Sequence, residues 1–223
     1  EIISAENIII ATGARPKYFQ GMKPNGKRII TSKEAMVLEE KPKSMVVIGA
    51  GAIGIEFAHF FQTYGTKVTI IEALPQILPT EDIDISNELE KIFKKRGMNI
   101  LKETLVEKVV DKDKDIEVYL KSGEVIIADY ALVAVGVKSN IENIGLEKLG
   151  IRINNNSISI NNFLQTNIKN IYAIGDVAGP PMLAHKASAE GIIAVEHMTD
   201  KNHVPMEYNN IPGCVYSNPE VAS

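Results

Sequence analysis

The feature that most constrains the fold is the segment Gly49-Ala50-Gly51-Ala52-Ile53-Gly54, which has the glycine spacing G-x-G-x-x-G. It follows a short apolar run at residues 45–48. It leads into residues 53–64, where apolar side chains recur at helical spacing before Gly65. A buried strand that turns into a helix through closely spaced glycines begins a β-α-β unit. The sequence therefore predicts a parallel α/β sheet around this segment.

The same alternation of strands and helices continues along the chain. Residues 67–71 and 131–135 are apolar runs typical of buried parallel strands, and residues 82–96 have the end charges of a helix. Between them, residues 98–128 form short, partly alternating runs, with a hairpin-like turn at 121–124. We predict a Rossmann-like, three-layer α/β domain that carries an antiparallel β insertion.

The three glycines at this spacing have separate physical roles in binding a dinucleotide. Gly49 permits the tight turn, Gly51 lets the backbone approach a pyrophosphate, and Gly54 lets the helix pack closely on its strand. The N–H groups at the start of the helix then face the phosphates. The alternative interpretation is a glycine-rich turn that binds no ligand.

An acidic residue, Glu72, ends the second predicted strand, close to the ~20-residue offset at which a carboxylate binds the adenosine ribose diol. The same carboxylate would repel a 2′-phosphate. No Arg or Lys lies between Ala73 and Ile77 to neutralise that phosphate. The sequence therefore favours NAD over NADP. The alternative is a solvated glutamate at the end of a strand.

Further strands end in glycine and suggest a second nucleotide-binding fold in the same chain. Residues 8–11 are followed by Thr12-Gly13-Ala14, and residues 133–135 by Gly136. The strand at 171–174 ends in Gly175-Asp176, where a carboxylate can accept a hydrogen bond from a ribityl or ribose hydroxyl. Met182-Leu183-Ala184-His185-Lys186-Ala187 then begins a helix, whose N-terminus favours partial negative charge.

Composition excludes several other classes of protein. The net charge of −4 gives no reason to expect nucleic acid or an anionic membrane as a partner. A single cysteine can form neither an internal disulfide nor a zinc cluster, and no apolar run is long enough to span a bilayer. We predict no metal site and no membrane span. The one cysteine also indicates a reducing compartment, and the sequence does not decide between the cytoplasm and the mitochondrial matrix.

Taken together, these motifs resemble the flavin-dependent disulfide reductases, a family of FAD- and NAD-dependent oxidoreductases. Residues 182–187 resemble its dihydrolipoyl dehydrogenase branch in particular. Residues 211–213 and 218–223 are similar to the start of that family's dimerisation domain. The resemblance implies FAD and NAD as cofactors, and a second, FAD-binding Rossmann-like domain of which the chain holds parts. Because the chain begins at Glu1 rather than Met, we expect an internal fragment.

The resemblance implies two sets of cofactor contacts. The NAD set is Gly49, Ala50, Gly51, Ala52, Ile53, Gly54, Ile55, Glu56, Glu72, Val106 and Gly136. The FAD set is Thr12, Gly13, Ala14, Asp176, Met182, Leu183, Ala184 and His185. Glu56 is implied to lie near the nicotinamide and flavin rings. No catalytic residue is expected in this chain, because the family's redox cysteine pair lies upstream and its catalytic His-Glu pair downstream.

The implied reaction is the oxidation of protein-bound dihydrolipoamide through a redox disulfide and FAD, with reduction of NAD⁺ to NADH. The implied partners are the lipoyl domains of 2-oxo acid dehydrogenase or glycine cleavage complexes, and a second copy in a homodimer. Two alternatives stay open. One is another FAD- and NADH-dependent disulfide reductase or an NADH oxidase. The other is a non-catalytic NAD-binding module.

The predicted domain organisation interleaves the two nucleotide-binding folds. The predicted segments are an FAD-domain segment at 1–30, an NAD-binding domain at 31–160, an FAD-domain return segment at 161–205 and the truncated start of a dimerisation domain at 206–223. We expect these 223 residues alone to be inactive, to bind NADH weakly and to retain FAD poorly.

Overall fold

The computed structural model describes residues 2–201 and 204–223. Its strands are β1 (Ile8–Ile10), β2 (Ala14–Pro16), β3 (Ile29–Ile30), β4 (Ser44–Ile48), β5 (Lys67–Ile71), β6 (Asn99–Leu101), β7 (Val106–Asp111), β8 (Ile116–Leu120), β9 (Val125–Ala128), β10 (Tyr130–Val133), β11 (Val137–Ser139), β12 (Ile153–Asn154), β13 (Ser157–Ile158), β14 (Ile171–Ala173), β15 (Cys214–Val215) and β16 (Val221–Ala222). Its helices are α1 (Ser32–Ala35), α2 (Ala52–Thr63), α3 (Ile83–Lys95), α4 (Leu146–Leu149) and α5 (Ala184–Met198), with 3₁₀ turns at Gly175–Ala178 and Tyr208–Asn210.

The chain forms two compact units, which are described separately. We call Pro16–Gly136 with Cys214–Ser223 the central unit, and Glu1–Arg15 with Val137–Gly213 the flanking unit.

The central unit is built on a five-stranded sheet in the order β3-β10-β4-β5-β6. All four of its strand pairs are parallel. The strands predicted at 45–48, 67–71 and 131–135 correspond to β4, β5 and β10. The predicted α/β class with a parallel Rossmann-like sheet is confirmed.

The two faces of this sheet line two different cores, because successive residues of a strand point in opposite directions. Met45 and Val47 of β4 pack in one core with residues of α2 and α3. Val46 and Ile48 pack in the other core, against the antiparallel strands. The sheet is therefore the middle of three layers, with helices on one side and β-structure on the other.

The antiparallel layer is the three-stranded sheet β7-β8-β9. Its middle strand contributes Ile116, Val118 and Leu120, which are at most 3% exposed, to the shared core. The turn predicted at 121–124 joins β8 to β9, and the Leu120 N–H donates to the Glu124 carbonyl at 2.9 Å. The predicted antiparallel insertion is thus present and packs against one face of the parallel sheet.

The last ten residues of the chain also pack in the central unit. Strands β15 and β16 pair antiparallel, and Val215 and Val221 belong to the same core as α2. Arg96, which ends α3, donates to the carbonyl of Asn218 in the turn between the two strands. This is the segment that resembles the start of a dimerisation domain.

The flanking unit centres on the parallel pair β1 and β14. Ile171 and Ala173 of β14 share a core with Leu146 and Ile158, and α5 contributes Ala194 to a smaller core around Tyr172. Residues 137–160 belong to this unit because of these contacts and because β11 pairs with β2. The division by contacts therefore differs from the predicted segment boundaries, and the assignment of each unit to a cofactor stays a prediction.

The described residues contain neither a membrane-spanning helix nor a metal-binding cluster. None of the helices at 2–201 and 204–223 is long and apolar enough to cross a membrane. In the same part of the chain, no group of three or more His, Cys, Asp or Glu side chains is arranged to hold a metal ion.

Candidate nucleotide-binding sites

The turn between β4 and α2 is shaped by two close backbone contacts. A Cβ atom at Gly54 would lie 2.0 Å from the Gly49 carbonyl oxygen, and one at Gly49 would lie 2.4 Å from the Ala134 carbonyl oxygen. Gly49 also has a φ of +101°, a conformation that L side chains rarely adopt. These two glycines therefore allow α2 to approach the ends of β4 and β10.

Gly51 has a different environment, because no protein atom lies within 4 Å of a Cβ placed there. It is the N-cap residue of α2, and no side chain caps that helix end. The first N–H groups of an α-helix have no partners within the helix and carry partial positive charge. The missing side chain thus leaves room for an anionic group to approach the start of α2.

Glu72 lies directly after β5 and is only 8% exposed, so the alternative of a solvated strand-end glutamate is wrong. Its carboxylate accepts hydrogen bonds from the Ala50 N–H at 2.7 Å and from the Leu74 N–H at 2.8 Å, one at each oxygen. These bonds fix the carboxylate between the glycine turn and the following loop. Each oxygen keeps a lone pair that can accept a hydrogen bond from a hydroxyl group.

A cavity of about 600 Å³ opens beside this turn, entirely within the central unit. It brings together five residues of the predicted NAD set: Gly49, Gly51, Glu72, Val106 and Gly136. Its apolar walls include Phe19, Met22, Ile48, Ile71, Leu105 and Val135. Cofactor pockets are typically mostly apolar clefts of this size with a few polar groups that fix orientation.

The other members of the predicted NAD set do not line this cavity. Ala50, Gly54 and Ile55 are buried in the protein, Ile53 packs at the edge of the core, and Ala52 is exposed on the first turn of α2. Glu56 lies one turn further along α2, and its carboxylate accepts a hydrogen bond from the Tyr216 N–H at 2.9 Å. The structure thus shows a partner for Glu56, while its position beside a nicotinamide ring stays a prediction.

Sequence reasoning missed several cavity residues that lie far from the fingerprint. Phe19 comes from the loop before β3, while Leu105 and Lys121 come from the β insertion. The backbone joins the last two, because the Lys121 N–H donates to the Leu105 carbonyl at 2.9 Å. No local motif marks these positions, since only the packing of the insertion on the sheet brings them to the glycine turn.

In the flanking unit, the predicted FAD residues collect at one sheet edge. Because β1 and β14 are neighbouring parallel strands, Thr12-Gly13 and Gly175-Asp176 follow their carboxyl ends on the same side. Thr12 donates through Oγ1 to the Asn140 carbonyl at 2.8 Å, and the Asn140 amide donates to the Thr12 carbonyl at 2.9 Å. Asn140 is not in the predicted FAD set, and only its two hydrogen bonds with Thr12 place it at this site.

Asp176 presents a half-buried carboxylate at this edge. Among the described residues, no group donates a hydrogen bond to that carboxylate, although Ser139 Oγ donates to the Asp176 backbone carbonyl at 2.8 Å. A half-buried carboxylate without a protein donor can accept a hydrogen bond from a ligand hydroxyl. Asp176 therefore fits the ribityl or ribose contact that the sequence predicts.

The remaining predicted FAD residues surround the start of α5. Met182 and Leu183 are half-buried, Ala184 and His185 are exposed, and no side chain caps the helix. Nε2 of His185 lies 2.9 Å from the Pro212 carbonyl oxygen, within hydrogen-bond distance. The first N–H groups of α5 therefore have no side-chain cap, while the His185 side chain already has a partner in the Pro212 carbonyl.

Comparison with known proteins identifies the family. The profile of the pyridine nucleotide-disulphide oxidoreductases matches residues 1–191. The chain belongs to this family. Curated relatives include dihydrolipoyl dehydrogenases from Zymomonas mobilis, 44% identical over 100% of this chain and 49% of the relative, and from Rhizobium etli, 46% identical over 99% and 47%. The chain spans about half the length of the curated relatives it matches.

Solved structures give the same result. LpdA from Mycobacterium tuberculosis aligns with a TM-score of 0.92 and 30% identity, covering 98% of this chain and 48% of that protein. The HOCl-induced flavoprotein disulfide reductase RclA from Escherichia coli aligns with a TM-score of 0.89 and 27% identity, covering 99% and 51%. The predicted resemblance is confirmed, and the family uses FAD and NAD, as predicted. Which residues hold each cofactor stays a prediction.

Proposed function

We propose that this chain forms the nucleotide-binding framework of a dihydrolipoyl dehydrogenase. In that reaction two thiols of dihydrolipoamide become one disulfide, NAD⁺ gains a hydride to become NADH, and one proton is released. One observation carries the proposal: five curated relatives of that name are 42–46% identical along 99–100% of this chain. The geometry of the two candidate sites supports it.

In the central unit, the glycine turn and the cavity are the proposed NAD site. The start of α2 at Gly51 would bind the pyrophosphate, and the free lone pairs of Glu72 would accept hydrogen bonds from the adenosine ribose diol. Because the Glu72 carboxylate is fixed and negatively charged, it would repel a 2′-phosphate. The proposed coenzyme is therefore NAD rather than NADP.

In the flanking unit, the carboxyl edge of β1 and β14 is the proposed FAD site. The carboxylate of Asp176 would accept a hydrogen bond from a flavin hydroxyl, while Thr12, Gly13 and Ala14 would contact the cofactor after β1. The uncapped start of α5 at residues 182–185 would face the partial negative charge of a ring carbonyl. When bound, FAD supplies the electron transfer between thiols and nicotinamide.

The thiol chemistry requires groups that these 223 residues do not contain, since Cys214 is the single cysteine of the sequence. We propose that a redox cysteine pair and a His-Glu pair outside this sequence supply it. The proposed partners are the lipoyl domains of 2-oxo acid dehydrogenase or glycine cleavage complexes, together with a second copy of the protein. The bacterial sources of the relatives favour the cytoplasm over the mitochondrial matrix.

A second candidate function is a different flavin-dependent disulfide reductase. It is favoured by the similarity to RclA, whose TM-scores of 0.88–0.90 are close to that of LpdA. The identities of 27% and 30% also differ little. The sequence relatives favour the dihydrolipoyl dehydrogenase, and NAD⁺ reduction that depends on dihydrolipoamide would separate the two functions.

The test uses the protein at its natural length, with FAD added, and follows NADH absorbance. We expect NAD⁺ reduction that depends on dihydrolipoamide, with NADP⁺ at least ~10-fold less effective. NADH oxidation by O₂ without any thiol would instead establish an NADH oxidase. NADH oxidation that needs another disulfide would establish a different reductase, and NADH binding without turnover would leave a non-catalytic module.

The proposed pyrophosphate contact is tested by Gly51→Ala. The added methyl group meets no protein atom within 4 Å apart from its chain neighbours, so the fold should tolerate it at a cost of about 1 kcal/mol, because alanine is a poorer N-cap residue than glycine. It occupies the space proposed for the pyrophosphate, so the Kd for NADH should rise at least ~10-fold in a fluorescence titration. Gly191→Ala adds the same methyl group within α5, at an ordinary contact distance of 3.6 Å, and should leave that Kd unchanged.

A further inference from the structure

Two opposite charges, Lys186 and Glu190, are buried together beneath the turn that carries Asp176. Their side chains are only 1% and 0% exposed, and Lys186 Nζ lies 3.2 Å from Glu190 Oε1. They occupy successive turns of α5, whose start belongs to the proposed FAD site. Neither residue is in the predicted FAD set, so the proposed function leaves this buried pair without a role.

Three hydrogen bonds of this pair go to the backbone at the two ends of the 3₁₀ turn Gly175–Ala178, two to Gly175 and one to Gly179, which directly follows the turn. Lys186 Nζ donates to the carbonyl oxygens of Gly175 at 3.2 Å and Gly179 at 3.0 Å, which flank Asp176 on both sides. Glu190 Oε2 accepts a hydrogen bond from the Gly175 N–H at 2.6 Å. The pair therefore holds both ends of the turn that presents the Asp176 carboxylate.

Tyr208 completes the cluster from the opposite side. Its hydroxyl donates to Glu190 Oε1 at 2.8 Å. Burial and this hydrogen bond raise the pKa of Tyr208, so the hydroxyl keeps its proton and remains a donor. Glu190 thus accepts hydrogen bonds from a backbone N–H and a phenol and forms an ion pair with an ammonium, so both of its oxygens have partners.

A buried ion pair is weak support for stability, because removing two charges from water offsets most of their attraction. The geometry offers another role for this one. The Asp176 backbone is held by Ser139 Oγ on its own carbonyl and by Lys186 and Glu190 on its neighbours, while its carboxylate receives no donor from the described residues. These contacts hold the backbone at Gly175 and Asp176 and leave the carboxylate available.

We propose that Lys186 and Glu190 are positioning residues for the flavin, which keep the turn at Gly175–Ala178 in the conformation that aims the Asp176 carboxylate at a ribityl or ribose hydroxyl. The inference deepens the proposed function and rests on its FAD site. It assigns a binding role to two side chains that need not touch the cofactor.

The experiment compares three versions of the natural-length protein for FAD affinity and thermal unfolding without FAD. Lys186→Met removes the donor to both turn carbonyls and leaves Glu190 buried without its cation, so Tm and FAD affinity should both fall. The double variant Lys186→Met, Glu190→Gln, which we call the neutral-pair variant, removes both charges and should recover most of the lost Tm. The turn carbonyls still lack their donor, so the Kd for FAD should stay at least ~10-fold above that of the parent.

A double-mutant cycle with Asp176→Asn distinguishes positioning from general support of the fold. If the pair acts by aiming Asp176, then Asp176→Asn should weaken FAD binding in the parent protein and have at least ~5-fold less effect in the neutral-pair variant. Tyr208→Phe keeps both charges and serves if the neutral-pair variant does not fold. It removes one donor from Glu190 and should raise the Kd for FAD about threefold.

Lys102→Met is the matched control. Lys102 Nζ lies 2.8 Å from Glu90 Oε2 in the central unit, so this variant breaks an ion pair of similar length that belongs to the other unit. We expect a lower Tm with an unchanged Kd for FAD. Parent-like FAD affinity in the neutral-pair variant, or additive effects in the cycle, would overturn the inference alone. A parent protein that binds no FAD would overturn the proposed function together with it.

Discussion

Two acidic residues follow parallel strands in this molecule, and the protein treats them in opposite ways. The Glu72 carboxylate, after β5, accepts hydrogen bonds from the backbone N–H groups of Ala50 and Leu74. The Asp176 carboxylate, after β14, accepts none from the described residues, and its backbone carbonyl is the group that Ser139 holds. Each carboxylate is proposed to bind a hydroxyl of a nucleotide, but only that of Glu72 also takes part in hydrogen bonds within the described protein.

The difference separates two ways to orient a ligand-binding carboxylate. At the first site the carboxylate itself joins the glycine turn to the loop after β5, so changes to it should alter stability and binding together. At the second site other groups hold the turn, and the carboxylate takes no part in that. Changes to Asp176 should therefore alter binding and leave stability almost unchanged.

The largest expected effect comes from Gly54→Ala, which tests how tightly the first site is built. The new Cβ atom would lie 2.0 Å from the Gly49 carbonyl oxygen, so α2 must move away from the end of β4. We expect the free energy of unfolding to fall by about 3 kcal/mol or more, with loss of NADH binding. Thermal unfolding and an NADH titration would measure both. A parent-like Tm would show that the turn is looser than the contact indicates.

Glu72→Gln tests the coupling at the first site more selectively. A glutamine side chain has one oxygen, so its NH₂ group must face the N–H of either Ala50 or Leu74. We expect about 1–3 kcal/mol of destabilisation and at least ~10-fold weaker NADH binding. Urea unfolding and fluorescence titration would check the pair of effects. Weaker binding at full stability would contradict the coupling.

The fold was predictable where side-chain periodicity determines it. The run at 45–48 is apolar throughout because β4 is buried on both faces, and α3 ends within a residue of its prediction because Lys94, Lys95 and Gly97 mark its end. The antiparallel insertion was predictable from alternation and the turn at 121–124. What periodicity did not indicate is that residues 137–160 pack in the flanking unit, since that depends on partners distant in sequence.

The candidate sites were predictable only where a motif marks them. The glycine turn and Glu72 have a fixed spacing because one β-α-β unit places them together. Phe19 and Asn140 reach their sites from loops with no such spacing. Lys186 appeared in the motif at 182–187, but its contacts with Gly175 and Gly179 depend on how α5 packs, which the motif does not specify.

Asp176→Asn is the counterpart of Glu72→Gln at the second site. The carboxylate has no protein donor to lose among the described residues, so the free energy of unfolding should change by less than about 0.5 kcal/mol. The loss of a charged acceptor should weaken FAD binding about tenfold, in line with the ~1.5–3 kcal/mol of a charge-assisted hydrogen bond. Thermal unfolding without FAD and equilibrium FAD binding would measure both. Destabilisation as large as that of Glu72→Gln would remove the contrast between the sites.

A small effect on stability is expected at a third carboxylate, Glu90, which is held by flexible side chains rather than by the backbone. Burial alone would raise the pKa of Glu90, but hydrogen bonds from Lys102 at 2.8 Å and Lys94 at 2.6 Å hold it below its ordinary value of 4.5. A lowered pKa in the folded state stabilises the protein above pH 4.5, and that contribution is lost as the pH falls through the folded-state pKa.

Glu90→Gln should therefore lower stability by less than about 1 kcal/mol at pH 7, because the Lys94 side chain is half exposed and its charge is screened. The gap in Tm between Glu90→Gln and the parent should narrow as the pH falls below 4.5. Thermal unfolding at a series of pH values would measure it. A gap that is independent of pH would mean that the lysines do not stabilise the charged form. A gap larger than that of Glu72→Gln would mean that attachment to the backbone is not what makes a carboxylate important for stability here.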